Sequence, residues 1–278
     1  MSRTLSSAHT HTTFCDGKTP AAETARTAYE MGFVSLGFTS HAPQTFDRPY
    51  CIAPECEEEY KAEIRALREE YAGRMQIWLG IERDLLSCAG TEDYDYFIAS
   101  VHYFTRPDGG FSCVDGSPED IKSYTEEFCG GDGLETARRY FSLLRDYVLG
   151  YDPAVIGHFD LIRKNNSMLG LYDEDSPAYR KMALDALRDM RETHALLEVN
   201  TGAIAKGYLT EPYPAPFLLK AWREWGGEVI INSDCHNAAF LDAGYDLSEE
   251  LLLSLGYGHA VRLSPDPEKG MWERIKLR

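Results

Sequence analysis

His9 and His11 stand one residue apart in the segment AHTHTTFCDG, with Asp16 five positions after the second. In an extended chain residues i and i+2 share a face, so both imidazoles can point the same way. Two imidazoles and a nearby carboxylate are competent metal ligands; a solvated, threonine-rich strand followed by an Asp-Gly turn is the competing reading of the same residues. Asp234 and His236 repeat the i, i+2 spacing near the other end, in INSDCHN, and Cys235 between them should face the opposite way. Glu82, in LGIERD, is flanked by Leu79, Ile81, Leu85 and Leu86. A glutamate in such surroundings is costly to bury without a cation. Taken singly, His41 also suits the opening of a loop, and His102 suits a satisfied histidine inside an apolar strand.

These residues fall at the ends of a repeating pattern. Short apolar runs end in polar or ionisable residues: LSSAHTHTTF, FVSLGFTSH, QIWLGIERD, YFIASVHYF, AVIGHFD, ALLEVNTG and EVIINSDCH. Seven strands are expected. Between them lie helical patterns. TPAAETARTAYEMG carries a Thr cap and Pro signal at its start and Gly32 at its end. PECEEEYKAEIRALREEYAG places Tyr60, Ile64, Leu67 and Tyr71 on one face, and further helices are expected at 134–149, 177–193, 214–225 and 248–255. Strands alternating with helices imply a parallel sheet. Six of the eight histidines lie in or just after an expected strand. That is where β/α barrels gather catalytic groups, at the carboxyl ends of several strands at once.

The bulk properties narrow the function. A chain of 278 residues with 44% hydrophobic content fits one β/α barrel, so residues 1–278 are expected to form a single domain. The formal charge of −17 disfavours nucleic acid as a partner. No apolar run reaches the ~20 residues needed to span a membrane, and the N-terminus has no signal-like apolar segment; a cytoplasmic location and no membrane partner are expected. Seven scattered cysteines without a CxxC pair read as reduced thiols.

With HTHTTFCDG, LGFTSHAP, LGIERD, ASVHYF, GHFDLIRK, EVNTGAIAKG and INSDCH in that order, nearly the whole chain resembles the polymerase-and-histidinol-phosphatase (PHP) metallophosphoesterases, within them the monofunctional histidinol-phosphatase type. The resemblance implies a distorted TIM-like (β/α)7 barrel of parallel strands with three divalent metal ions in its mouth. His9, His11, Glu82 and Asp234 would hold one ion. Glu82 would bridge to a second, bound by His102 and His158. Asp16, His41 and His236 would hold the third. Mixed imidazole and carboxylate donors suit zinc, iron or manganese.

The activity implied is hydrolysis of L-histidinol phosphate, a small-molecule ester, to L-histidinol and phosphate; another small phosphate ester or a nucleotide is the alternative within the family. Arg163 and Lys206 are expected to face the phosphate. Asp160, two residues beyond His158, is a candidate general acid or an orienter of a ligand histidine. The segment 105–118 is expected to cover the mouth as a loop, with Asp108 or Asp115 facing the cationic part of the substrate. An amidohydrolase-type deaminase also carries HxH on its first strand, but Glu82, Asp16 and the DCH segment fit it less well. A non-catalytic metal-binding protein would be expected to lack some ligands, and all nine ligand-competent positions are filled here.

Overall fold

The computed structural model describes residues 5–278. Its strands are β1 (Leu5–Ser7), β2 (Phe33–Phe38), β3 (Gln76–Asp84), β4 (Tyr96–Ser100), β5 (Tyr103–Thr105), β6 (Phe111–Cys113), β7 (Val155–Ile156), β8 (Leu196–Asn200), β9 (Val229–Asn232), β10 (His259–Leu263) and β11 (Trp272–Lys276). The main sheet runs β1-β2-β3-β4-β7-β8-β9-β10-β11. Every pairing from β1 to β10 is parallel, and β11 returns antiparallel to β10. The seven strands expected from the sequence are therefore present, although the fifth shortens to Val155–Ile156.

The first and seventh of these strands meet beyond their regular portions. Thr10 forms a parallel bridge with Cys235, the His11 N–H donates to Cys235 O (2.9 Å), and the Ala8 N–H donates to the Asn232 side-chain oxygen (2.8 Å). Two regions depart from expectation. Within 105–118, Phe111–Cys113 pairs with Tyr103–Thr105 as a hairpin. The C-terminal pair β10–β11, joined through the turn-rich segment SPDPEKGM, was also not anticipated. Here β10 meets the ends of the barrel strands away from the histidines: Ser35 Oγ donates to Leu263 O (2.6 Å) and Trp78 Nε1 to Ser264 O (3.1 Å). Val261 and Leu263 share one buried cluster with Ala8, Trp78, Tyr96, Ile98, Val155, Leu196 and Ile230.

The helices are α1 (Ala21–Met31), α2 (Glu57–Glu70), α3 (Pro118–Phe128), α4 (Gly133–Tyr151), α5 (Arg163–Leu169), α6 (Pro177–Met190), α7 (Gly202–Ala205), α8 (Pro216–Glu224) and α9 (Tyr245–Ser254). The α1 helix buries Ala21, Thr24, Ala25 and Ala28, the spacing of one helical face. It stops at Gly32, whose φ of 86° suits a residue without Cβ. The expected Thr cap is absent: Pro20 precedes the helix, and Thr19 Oγ1 instead accepts the Ala238 N–H (3.1 Å). The unexpected α3 starts from a Ser117/Asp120 capping box. Two further clusters of buried apolar residues are built from strand and helix side chains. No helix among the described residues is long and apolar enough to cross a membrane.

Candidate metal centre

The carboxyl ends of the parallel strands bring together His9, His11, Asp16, His41, Glu82, His102, His158, Asp234 and His236. Glu82, on β3, is 1% exposed and lies at the middle. Its Oε2 is 2.9 Å from His41 Nδ1, 3.3 Å from His9 Nε2 and 3.4 Å from His11 Nε2. Its Oε1 is 2.9 Å from His158 Nε2 and 3.5 Å from His102 Nε2. Asp234 Oδ1 lies 3.0 Å from His11 Nε2 and 3.6 Å from His9 Nε2. Asp16 completes the rim, 3.3 Å from His236 Nε2 and 3.7 Å from His41 Nε2.

Three sets of donors converge within 4.8 Å: His11, Asp16, His41 and His236; His9, His11 and Asp234; His41, Glu82 and His102. Donors about 2.1 Å from a tetrahedral ion lie roughly 3.4 Å from one another, which is the spacing these pairs show. Glu82 Oε2, His158 Nδ1 and Asp16 Oδ1 are buried yet lack hydrogen-bond partners. Orphaned buried atoms of this kind ask for a partner that the protein itself does not provide. The donor set therefore fits divalent transition ions.

The electrostatics point the same way. Burial resists ionisation of Glu82, but His41, His9 and His102 hold its carboxyl well below the usual range. Burial likewise opposes protonation of His41, yet Glu82 and Asp16 raise it to about 10. His11 goes the other way, to about 3, through burial and the charges of His236 and His41. Protons on some imidazoles thus balance the buried carboxylates, a task divalent cations can take over.

Two carboxylates that the sequence pattern did not assign to the site stand behind its histidines. Glu198 on β8 is fully buried and accepts the His9 Nδ1–H (2.7 Å) and the His158 backbone N–H (2.7 Å). It also accepts from the Asn200 and Asn232 amides, 2.9 Å each. This leaves His9 Nε2 as the free donor atom, the usual role of a carboxylate behind a ligating histidine. Asp84 serves His102 similarly, accepting its backbone N–H (2.7 Å) with His102 Nδ1 at 3.3 Å. Glu198 had a readable signal, since Leu197 and Val199 flank it much as apolar residues flank Glu82.

Asp234 and His236 do not continue a strand as expected. β9 ends at Asn232, and Asp234 adopts φ 49°, an uncommon left-handed conformation for a side-chain-bearing residue. This turn still directs Cys235 into the apolar core, as anticipated.

Above the cluster lies a cavity of about 560 Å³. Lys206 lines it, with Nζ 3.4 Å from His236 Nδ1. So does Lys18, and so does Lys164, which donates to the Asp115 backbone and carboxylate oxygens. Asp115 also lines the cavity; burial opposes its ionisation, but Lys164 and His102 draw its carboxyl down to about 2. Asp108, its alternative, is exposed at the hairpin tip and bonded to Arg106 and Gly110.

Arg163 and Asp160 are placed differently from expectation. Beyond Ile156 the chain turns rather than extending, so Asp160 is not on a strand face with His158. Neither residue is among those lining the cavity. Arg163 is 7% exposed and is held by Glu174 (2.6 Å), Glu211 (2.7 Å) and Asp160 (3.3 Å). Asp160 accepts the Ala215 N–H (2.9 Å) and orients no ligand histidine; that role falls to Glu198 and Asp84.

Comparison with known proteins gives the family and the fold. Residues 7–202 match the PHP domain model. A Deinococcus radiodurans protein named "Probable histidinol-phosphatase" is 34% identical over 243 residues, covering 84% of this chain and 86% of the relative. The Bacillus subtilis histidinol-phosphatase is 29% identical over 262 residues, covering 85% of this chain and 94% of the relative. In fold, the chain is similar to the Lactococcus lactis histidinol phosphate phosphatase, solved in complex with Zn, L-histidinol and phosphate. That match has a TM-score of 0.72 and 20% identity, over 94% of this chain and 97% of the other. The chain belongs to the PHP domain family.

Proposed function

We propose that this protein is a metal-dependent histidinol-phosphatase, formed by residues 1–278 as one PHP barrel domain, that hydrolyses L-histidinol phosphate to L-histidinol and phosphate. The observation that carries the reading is the convergence of nine ligand-competent side chains beneath a cavity that also presents lysines. We assign His9, His11, Glu82 and Asp234 to one ion, Glu82, His102 and His158 to a second, and Asp16, His41 and His236 to a third, with zinc, iron or manganese as the candidates. Bound ions of this kind would acidify water and neutralise phosphoryl oxygens.

The protein's own groups complete the site. Lys206 and Lys18 bring positive charge to the cavity and can attract the phosphate dianion. Asp115, on the opposite electrostatic footing, suits the cationic amine of the leaving alcohol, and its pairing with Lys164 keeps it ionised. Glu198 and Asp84 preserve the orientation of the ligating imidazoles, so little reorganisation is needed as substrate reacts.

The test is phosphate release from a panel of small phosphate esters by metal-reconstituted protein, with Glu82→Ala alongside. Preference for histidinol phosphate, with at least about a thousandfold loss in the variant, is the expected result, since Glu82 contacts donors of all three ion sites. A flat substrate profile would reduce the reading to a general PHP phosphoesterase.

A further inference from the structure

Among the polar groups of the cavity wall, Tyr213 combines burial with an unmet hydrogen bond. The residue lines the cavity and is 3% exposed, yet its hydroxyl has no partner. Its ring centroid is 6.5 Å from that of His158, and the phenol lies within electrostatic reach of Asp160, Asp115 and Asp234. A buried hydroxyl without a partner is destabilising, and its retention beside a substrate cavity makes sense when a bound ligand supplies the acceptor.

The segment carrying Tyr213 is fixed from three directions. Tyr213 and Asn200 exchange backbone hydrogen bonds of 3.0 and 2.8 Å. Arg163 binds Glu211, two residues earlier, and Asp160 accepts from Ala215, two residues later. Arg163 and Asp160 also bind each other, which couples both ends of the segment to the start of α5.

We infer that the Tyr213 hydroxyl donates a hydrogen bond to an oxygen of the bound phosphoryl group, and that Arg163 and Asp160 are positioning residues holding segment 211–215 so that it can. The inference rests on the phosphatase reading and extends it. A phenol is protonated at neutral pH and so is a donor to a phosphate dianion. Arg163 thus affects phosphate binding without touching phosphate.

The test compares Tyr213→Phe with wild type, both metal-loaded, in four measurements: metal content, thermal midpoint, affinity for inorganic phosphate by calorimetry, and kcat/KM for histidinol phosphate. The expected variant keeps its metal and has an equal or higher midpoint. It binds phosphate about tenfold or more weakly, the scale of a hydrogen bond to a charged group, and loses a similar factor in kcat/KM. Phosphate affinity within twofold of wild type would overturn the inference. A lowered midpoint with unchanged affinity would also overturn it, by showing that the hydroxyl pairs internally, for instance with the unpartnered Asp160 Oδ1.

For the positioning role, Arg163→Ala should weaken phosphate binding in wild type but add little in the Tyr213→Phe background, and Arg163→Lys should recover part of the loss. Full additivity would remove that role. Should Arg163→Ala fail to fold, Asp160→Asn undergoes the same cycle. A metal-loaded wild type that neither binds nor releases phosphate would defeat the phosphatase reading and this inference together. An active wild type with an indifferent Tyr213→Phe would defeat the inference alone.

Discussion

At the scale of single residues, the centre depends on carboxylates that stand behind the imidazoles as much as on the ligands themselves. Glu198 collects four hydrogen bonds from His9, His158, Asn200 and Asn232. Replacing it with Gln keeps its size but substitutes a neutral amide, half of which is a donor facing groups that donate. Glu198→Gln is expected to lower metal affinity about 10- to 100-fold, the usual range for a group supporting a ligating histidine. Competition against a chromophoric chelator measures this, and wild-type affinity in the variant would deny Glu198 its supporting role. Glu82 was legible in the sequence because a glutamate amid leucines and isoleucines needs a cation. Glu198 sits in an equally apolar strand, but nothing local says which histidine it meets, since its partners lie 189 and 40 positions away.

At the scale of elements, the position of His9 is set by how closely β1, β2 and β4 approach. A Cβ on Gly37 of β2 would lie 1.9 Å from the Tyr96 hydroxyl of β4, and that hydroxyl donates to Ala8 O (2.7 Å) beside His9. Gly37→Ala therefore forces Tyr96 away from Ala8. The expected destabilisation is about 1–3 kcal/mol, the usual cost of overpacking a core, with weaker metal retention on dialysis. Urea unfolding and elemental analysis give the two readouts; an unchanged midpoint would show that Tyr96 has room to move. The alternation of strand and helix was readable from periodicity, and so were α1, α2 and the seven parallel strands. The hairpin at 103–113, α3 and β10–β11 were not, because the Gly-, Pro- and Asp-rich turns beside them read as loop until tertiary partners fix the elements they join.

At the scale of the whole molecule, buried carboxylates and imidazoles drawn from the ends of the barrel strands meet in one cluster. Ions bound only by the folded chain stabilise it by mass action, so chelation should lower the thermal midpoint and re-addition should restore it. The effect should depend on pH in a definite direction. Burial notwithstanding, Glu82 raises metal-free His41 to about 10, so at neutral pH that imidazole carries a proton which a ligating ion must displace. Each unit fall in pH then weakens binding by up to about tenfold per displaced proton. Scans at pH 8, 7 and 6 with fixed metal should show the metal-induced rise in midpoint shrinking as pH falls. A rise independent of pH would mean that no proton is exchanged.

The sequence by itself determined the chemistry available: which side chains can ligate, their order along the chain, and the strand–helix alternation that carries them to one rim. Those properties depend on residue type and short-range periodicity, both local. Only the tertiary structure decided the partnerships. It directed Arg163 to Glu174, Glu211 and Asp160 instead of the cavity, put Glu198 behind His9, and gave Tyr213 a buried hydroxyl with no partner. The reason is that a charged or polar side chain takes whichever partner the fold brings within about 3 Å, and separation along the chain does not encode that distance.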